Sequence, residues 1–128
     1  MIKLKVLKDI YAVCKFNSSS EIPSVIYSSD FYSITKAPDE LSVICKQSGL
    51  INDTQGINKD WRIIKVIGPL DFSLIGIIAE ISRILYKNKI SIFSISTYET
   101  DYILVKNLNL KRALDSLESN GYEITKET

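Results

Sequence analysis

Hydrophobic positions in the first half of the chain follow the two-residue period of strands. Runs rich in apolar and β-branched residues occupy 2–7, 10–16, 31–35 and 41–46, and their alternation, though imperfect, is typical of half-buried strands. The segment 17–27 contains a serine cluster and a proline, which predict a turn and a short helical or irregular stretch. This half therefore predicts a small unit that is rich in strand and poor in helix.

The second half, from residue 61, has two helical patterns set among four strand-like runs. The first helix is expected to begin at Asp71, whose carboxylate fits an N-cap, and to end at Asn88. The second is expected to be capped by Asn107 or Asn109 and to stop at Gly121, a residue type favoured just after a helix. The predicted strands are 61–68, 90–97, 102–106 and 122–125.

The order of these elements predicts the fold class. Strand-helix-strand-strand-helix-strand over residues 61–125 is the split βαβ pattern of ferredoxin-like folds, with both helices on one face of an antiparallel sheet. Residues 1–46 look like a reduced copy of the same unit. The polar segment 47–60, which holds two glycines, is expected to link the halves. We therefore predict an α+β protein of two βαββαβ modules, the first reduced, spanning residues 1–60 and 61–128.

Charge and hydropathy limit the partners of the chain. It carries 16 basic and 15 acidic residues, so no net field attracts nucleic acid or an anionic membrane. No apolar run approaches the ~20 residues that a membrane span needs. Lysines interrupt the apolar N-terminal run, which does not resemble a signal peptide. The sequence predicts a cytoplasmic protein that binds neither nucleic acid nor membrane.

The chain contains no histidine, which removes the commonest general base and the commonest metal ligand. Triads of the Ser-His-Asp and Cys-His types are excluded, and we expect no catalytic activity. Cys14 and Cys45 each lie in an apolar strand-like run and are expected to be buried free thiols. No second cysteine or histidine lies near either one, so neither a metal nor a cofactor is expected.

Four motifs carry a resemblance to a known family. They are YAVCKF (11–16), FYSITKAPDELSVIC (31–45), GPLDFSLIGII (68–78) and ISIFSISTYETDYILVK (90–106). In this order they resemble small bacterial proteins with tandem ACT domains, which are related to modules of the cytosolic arginine sensor and of aspartate kinases. The resemblance implies two ACT-like modules, a regulatory protein that binds an amino acid without catalysis, and a homodimer.

The resemblance also implies where the ligand binds. In ACT domains the ligand lies beside the loop between the first strand and the first helix. The residues implied in this loop are Gly68, Pro69, Leu70, Phe72, Ser73 and Gly76. On the neighbouring hairpin the implied residues are Ser96, Thr97 and Asp101, with Asp101 as the partner of the ligand ammonium group.

A free amino acid is a zwitterion, so its site needs two poles. Unpaired N–H groups at a helix start can receive the carboxylate, and Asp101 can accept from the ammonium in a bond that contributes about 1.5–3 kcal/mol. Gly76, within the predicted helix, indicates either tight packing or proximity to the ligand. Asp71 remains open between a structural cap, which we favour, and a ligand contact.

One alternative remains beside the amino-acid sensor. The same fold with the same apolar strands can serve as a structural or protein–protein interaction module without a small-molecule ligand, in which exposed strand edges pair with a partner. RNA binding of the RRM type is disfavoured, because YILVKN has one aromatic residue and none of the expected glycines.

Overall fold

A computed structural model of the chain describes residues 2–49, 56–67 and 76–128. Two compact units divide it: Asp9–Trp61 forms the smaller one, and Met1–Lys8 with Arg62–Thr128 forms the larger one. The elements in chain order are β1 (Lys3–Val6), β2 (Tyr11–Phe16), a 3-10 helix (Ser24–Ser28), β3 (Ser33–Ala37), β4 (Glu40–Lys46), a 3-10 turn (Gln47–Gly49), β5 (Gly56–Val66), α1 (Ile77–Lys87), β6 (Ile92–Ser96), β7 (Asp101–Lys106), a 3-10 turn (Asn107–Asn109), α2 (Leu110–Ser119) and β8 (Glu123–Lys126).

The larger unit confirms the predicted α+β fold. From β5 onwards its elements follow the order β-α-β-β-α-β. Helices α1 and α2 bury apolar residues at helical spacing against one face of the sheet, and alternate strand residues complete a single core. The central members of this core, all buried, are Leu4, Val6, Ile64, Val66, Ile81, Ile84, Leu85, Ile103, Val105, Ala113, Leu114 and Leu117.

Helix α2 ends as its sequence predicts. Gly121 has φ 94°, a left-handed conformation that glycine adopts without a steric penalty. Its N–H donates to the carbonyl of Glu118 at 3.0 Å, and the N–H of Tyr122 donates to the carbonyl of Leu117 at 3.1 Å. These two bonds form a Schellman motif, which pairs carbonyls that the helix end leaves free.

The N-terminal strand β1 belongs to the larger unit, whereas its position in the sequence predicted that it would belong to the first module. It lies between β5 and β8, antiparallel to β5 and parallel to β8. Leu4 is opposite Val66 on one side and Ile124 on the other. A two-residue period shows that a strand has a buried face but carries no information on its neighbours, so this pairing was not predictable from the pattern.

Strand β5 is longer than predicted, because the proposed linker 47–60 ends in strand. Residues 56–60 pair with β2, with Gly56 opposite Lys15 and Ile57 opposite Cys14. All five are exposed, so no hydrophobic alternation marks them. The linker prediction is therefore wrong for residues 56–60, and residues 50–55 lie outside the described residues.

The smaller unit has the short helices expected of a reduced module, although it begins at Asp9 and lacks the first predicted strand. Its strands are antiparallel in the order β3-β4-β2-β5, and the 3-10 helix Ser24–Ser28 follows Pro23 where a full module has its first helix. A second, three-residue 3-10 turn stands in the place of the other helix. A separate core fills the unit, formed by Ala12, Cys14, Phe16, Ile26, Leu41, Val43 and Cys45.

Candidate functional site

The β6–β7 hairpin brings together three of the residues implied in ligand binding. Ser96 lies directly opposite Asp101, and its hydroxyl donates to Asp101 Oδ1 at 2.5 Å. The backbone N–H of Thr97 donates to the carbonyl of Thr100 at 2.8 Å, and the Thr97 hydroxyl donates to the same carbonyl at 3.1 Å. Thr97 therefore closes the turn, while Ser96 holds the carboxylate.

The carboxylate of Asp101 lies on the face of the sheet that the helices cover. Successive side chains of a strand point to opposite faces, so Asp101 shares its face with Ile103 and Val105. Both of these residues are fully buried in the core formed with α1 and α2. Asp101 itself is partly buried. The acid therefore lies where the helix-covered face meets solvent at the beginning of β7.

Thr100 attaches this hairpin to the end of β5. Its side chain is 3% exposed, and its hydroxyl donates to the carbonyl of Val66. Val66 is two residues before Gly68, so β7 begins beside the point where the chain leaves β5 for the proposed binding loop. Thr100 was not predictable as an anchor, because a threonine before a strand carries no signal that separates it from an ordinary turn residue.

The proposed binding loop spans residues 68–76, and Gly76 is its one described residue. The predicted ligand-binding residues Gly68, Pro69, Leu70, Phe72 and Ser73, and the proposed cap Asp71, lie outside the described residues.

Gly76 is described, and it lies just before α1, whereas the sequence predicted it within a helix. It has φ 89° and immediately precedes α1, which begins at Ile77. No described atom lies within 4 Å of a Cβ built on it, so tight packing against the described residues does not account for the glycine. The left-handed backbone does, since a side chain there costs roughly 1–2 kcal/mol.

Two aromatic residues of the hairpin do not line a pocket around Asp101. Tyr98 is 98% exposed at the turn, beside the exposed Glu99. Tyr102 points to the face opposite Asp101, where the ammonium of Lys65 lies 5.8 Å from its ring centre.

The two cysteines are free and buried, as predicted. The described residues contain no cluster of three or more metal-ligating side chains. Within the same ranges, no helix is long and apolar enough to cross a membrane.

Comparisons with known proteins fit this fold. A family model described as an ACT domain matches residues 56–119, and a model described as an N-terminal domain matches residues 9–53. No curated protein matches the chain.

Solved structures resemble the chain over almost its whole length. A structural-genomics protein from Agobacterium tumefaciens is 32% identical with a TM-score of 0.92, covering 99% of this chain and 94% of its own. A putative C-terminal regulatory domain of aspartate kinase from Porphyromonas gingivalis is 21% identical with a TM-score of 0.57, covering 93% and 96%. Aspartate kinase from Clostridium acetobutylicum is 13% identical with a TM-score of 0.68, covering 91% of this chain but 34% of its own.

The last two similarities are too low in identity to show more than a shared fold. The family match covers half of the chain and contains β5 through α2, including the hairpin that carries Asp101. The Agobacterium tumefaciens protein extends the similarity to the remainder. The chain therefore belongs to the ACT-domain family.

Proposed function

We propose that this protein is a non-catalytic regulatory protein that binds a free amino acid. The ligand ammonium binds the carboxylate of Asp101, and the ligand carboxylate binds backbone N–H groups of the loop 68–76 at the start of α1. One observation supports this above the others: Asp101 is partly buried, on the helix-covered face, beside the end of the strand that leads into that loop.

The carboxylate of Asp101 has capacity for the proposed ligand. An ionised carboxylate offers about four lone-pair positions, and the Ser96 hydroxyl occupies one of them. A charge-assisted bond to the ammonium contributes about 1.5–3 kcal/mol, and the helix terminus adds about 0.3–1 kcal/mol. A dissociation constant of 1 mM needs roughly 4 kcal/mol. These two contacts reach about 4 kcal/mol at most, so backbone bonds and burial of the ligand side chain must supply the rest. With them, the expected affinity is micromolar to millimolar, which suits a free metabolite pool.

The comparisons support a regulatory role without naming a ligand. Aspartate kinase regulatory regions share this fold, and the solved Clostridium acetobutylicum relative is described as an allosteric enzyme. In the proposal, this chain carries a regulatory fold of this kind and acts on a partner in the cytoplasm.

A thermal-shift screen against the twenty amino acids tests the proposal. An amino acid at a hundredfold excess over its dissociation constant is expected to stabilise the folded protein by about 2.7 kcal/mol. The midpoint temperature of unfolding should rise for one amino acid, or for a few chemically related ones, and stay constant for the others. If none raises the midpoint at tens of millimolar, the proposal fails.

The proposal also includes a homodimer. In the larger unit, β6 is the outermost strand beside β7, and its outer backbone groups can pair with a second copy. Light scattering at tens of micromolar is expected to give about twice the monomer mass of 14.5 kDa. A monomer mass at that concentration would contradict this part of the proposal.

A protein-interaction module is the second candidate, and the smaller unit carries the observation that favours it. Beside the outer strand β3, the side chains of Tyr27, Tyr32 and Ile34 are 53%, 41% and 37% exposed. The two tyrosine rings lie edge to face, 5.5 Å apart. Exposed aromatic groups next to a strand edge are typical of protein-binding surfaces. This candidate takes precedence if the amino-acid screen is negative.

A further inference from the structure

The two cysteines of the smaller unit are diagonal neighbours on the adjacent strands β2 and β4. In the β2–β4 ladder Cys14 is opposite Val43, and Cys45 is opposite Ala12. The two cysteines are therefore offset by two residues and point to the same face, where both are 1% exposed in one core. The sequence predicts only two separate buried thiols, since the strand register alone reveals that they are neighbours.

The two thiols differ in their chemistry. Cys14 donates a hydrogen bond to the sulfur of Cys45, which lowers the pKa of Cys45. The same bond, together with burial, raises the pKa of Cys14. The thiolate is the reactive form of cysteine, and this direction agrees with the position of Cys45 beside a cavity.

A cavity of about 140 Å³ lies beside the 3-10 helix, and Cys45 is one of the residues that line it. Ser28, Ser29 and Lys46 contribute polar groups to its lining. Cys14 does not line this cavity in the described part of the chain. A small neutral oxidant that enters the cavity therefore meets Cys45 first.

We propose that Cys45 and Cys14 form a peroxide-sensitive dithiol site. The Cys45 thiolate attacks one oxygen of hydrogen peroxide, the O–O bond breaks, and hydroxide leaves; Cys45 becomes a sulfenic acid. The Cys14 thiolate, formed as its proton is released, then attacks the Cys45 sulfur, an S–S bond forms, and the sulfenic oxygen leaves as water after taking up a proton. Peroxide gains two electrons, and the two thiols lose two electrons and two protons.

The diagonal offset makes this disulfide reversible. Diagonal neighbours in an antiparallel ladder are about 7–8 Å apart, whereas disulfides usually join Cα atoms about 4.4–6.8 Å apart. The bond requires the two strands to shift against each other, and strained disulfides are more easily reduced. The site can therefore be returned to its thiol form by a cellular dithiol.

The full-length protein without substitutions provides the first test. After treatment with hydrogen peroxide, its mass is expected to fall by about 2 Da, and dithiothreitol should reverse the change. Trypsin cleaves beside Lys8, Lys15, Lys36 and Lys46, so the disulfide should join peptides 9–15 and 37–46. The first step, oxidation of Cys45, should be faster in the native protein than in the chain unfolded in urea, because only the folded chain places Cys45 beside both the cavity and Cys14. Native thiols that stay unmodified, or that react no faster than in the unfolded chain, would overturn the proposal.

Two matched variants test the order of events. In Cys14→Ala, peroxide should leave Cys45 as a sulfenic acid that dimedone traps, whereas Cys45→Ala should give no such adduct at Cys14. Circular dichroism and the fluorescence of Trp61, which lies in this unit, check that both variants fold. An adduct that forms only in Cys45→Ala would overturn the assignment of the nucleophile. The dithiol site does not involve Asp101. The outcome of the amino-acid screen therefore does not affect the outcome of this test.

Discussion

Replacing Asp101 with asparagine is expected to weaken amino-acid binding about tenfold to a hundredfold, which at millimolar affinity removes it from detection. The substitution takes away the negative partner of the ligand ammonium, a contribution of about 1.5–3 kcal/mol, and each 1.4 kcal/mol is a factor of about ten. The asparagine side-chain carbonyl can still accept from Ser96, so the hairpin should stay intact. Titration calorimetry with an amino acid found in the thermal-shift screen measures the loss.

Glu99→Gln is the matched control for this experiment. It removes one carboxylate from the same hairpin, two residues earlier, at an exposed position. Its net charge change equals that of Asp101→Asn, so a general electrostatic effect on the ligand would appear in both variants. We expect the control to bind with unchanged affinity. Equal affinities in Asp101→Asn and the parent protein would remove Asp101 from the site.

The sequence predicted those features of the fold that local chemistry determines. The αL glycine at Gly121 and the apolar stripes of α1 and α2 are set by residues within one or two turns of each other, and the structure contains them. The placement of β1 and the pairing of residues 56–60 depend on partners far away in the chain. An alternating pattern does not name those partners, and exposed residues 56–60 have no pattern at all.

The same distinction applies to the candidate site. Asp101 stood out because it is an acid at the start of an apolar strand, and the structure places it partly buried on the helix-covered face. Its attachment to β5 depends on Thr100, a residue common in turns, and the thiol pair depends on the β2–β4 register. Both are contacts between strands, so they became visible only when the register was known.

Leu4→Ala is expected to lower the free energy of unfolding of the larger unit by about 2–5 kcal/mol, the cost of an internal cavity after a buried leucine is truncated. Leu4 is fully buried between Val66 and Ile124 in a core that both helices complete. Urea unfolding followed by circular dichroism reports on this unit, because α1 and α2 both lie in it. The fluorescence of Trp61 reports on the smaller unit.

Leu108→Ala provides the control, since Leu108 is 84% exposed and its truncation leaves no cavity. Surface substitutions of this kind change stability by about 0.5 kcal/mol at most. Circular dichroism and Trp61 fluorescence together also show which of the two units β1 stabilises. If β1 supports the larger unit, Leu4→Ala lowers the midpoint of the helical signal at least as much as that of Trp61. If only the Trp61 transition moves, β1 stabilises the first module instead, and its central position between β5 and β8 is wrong.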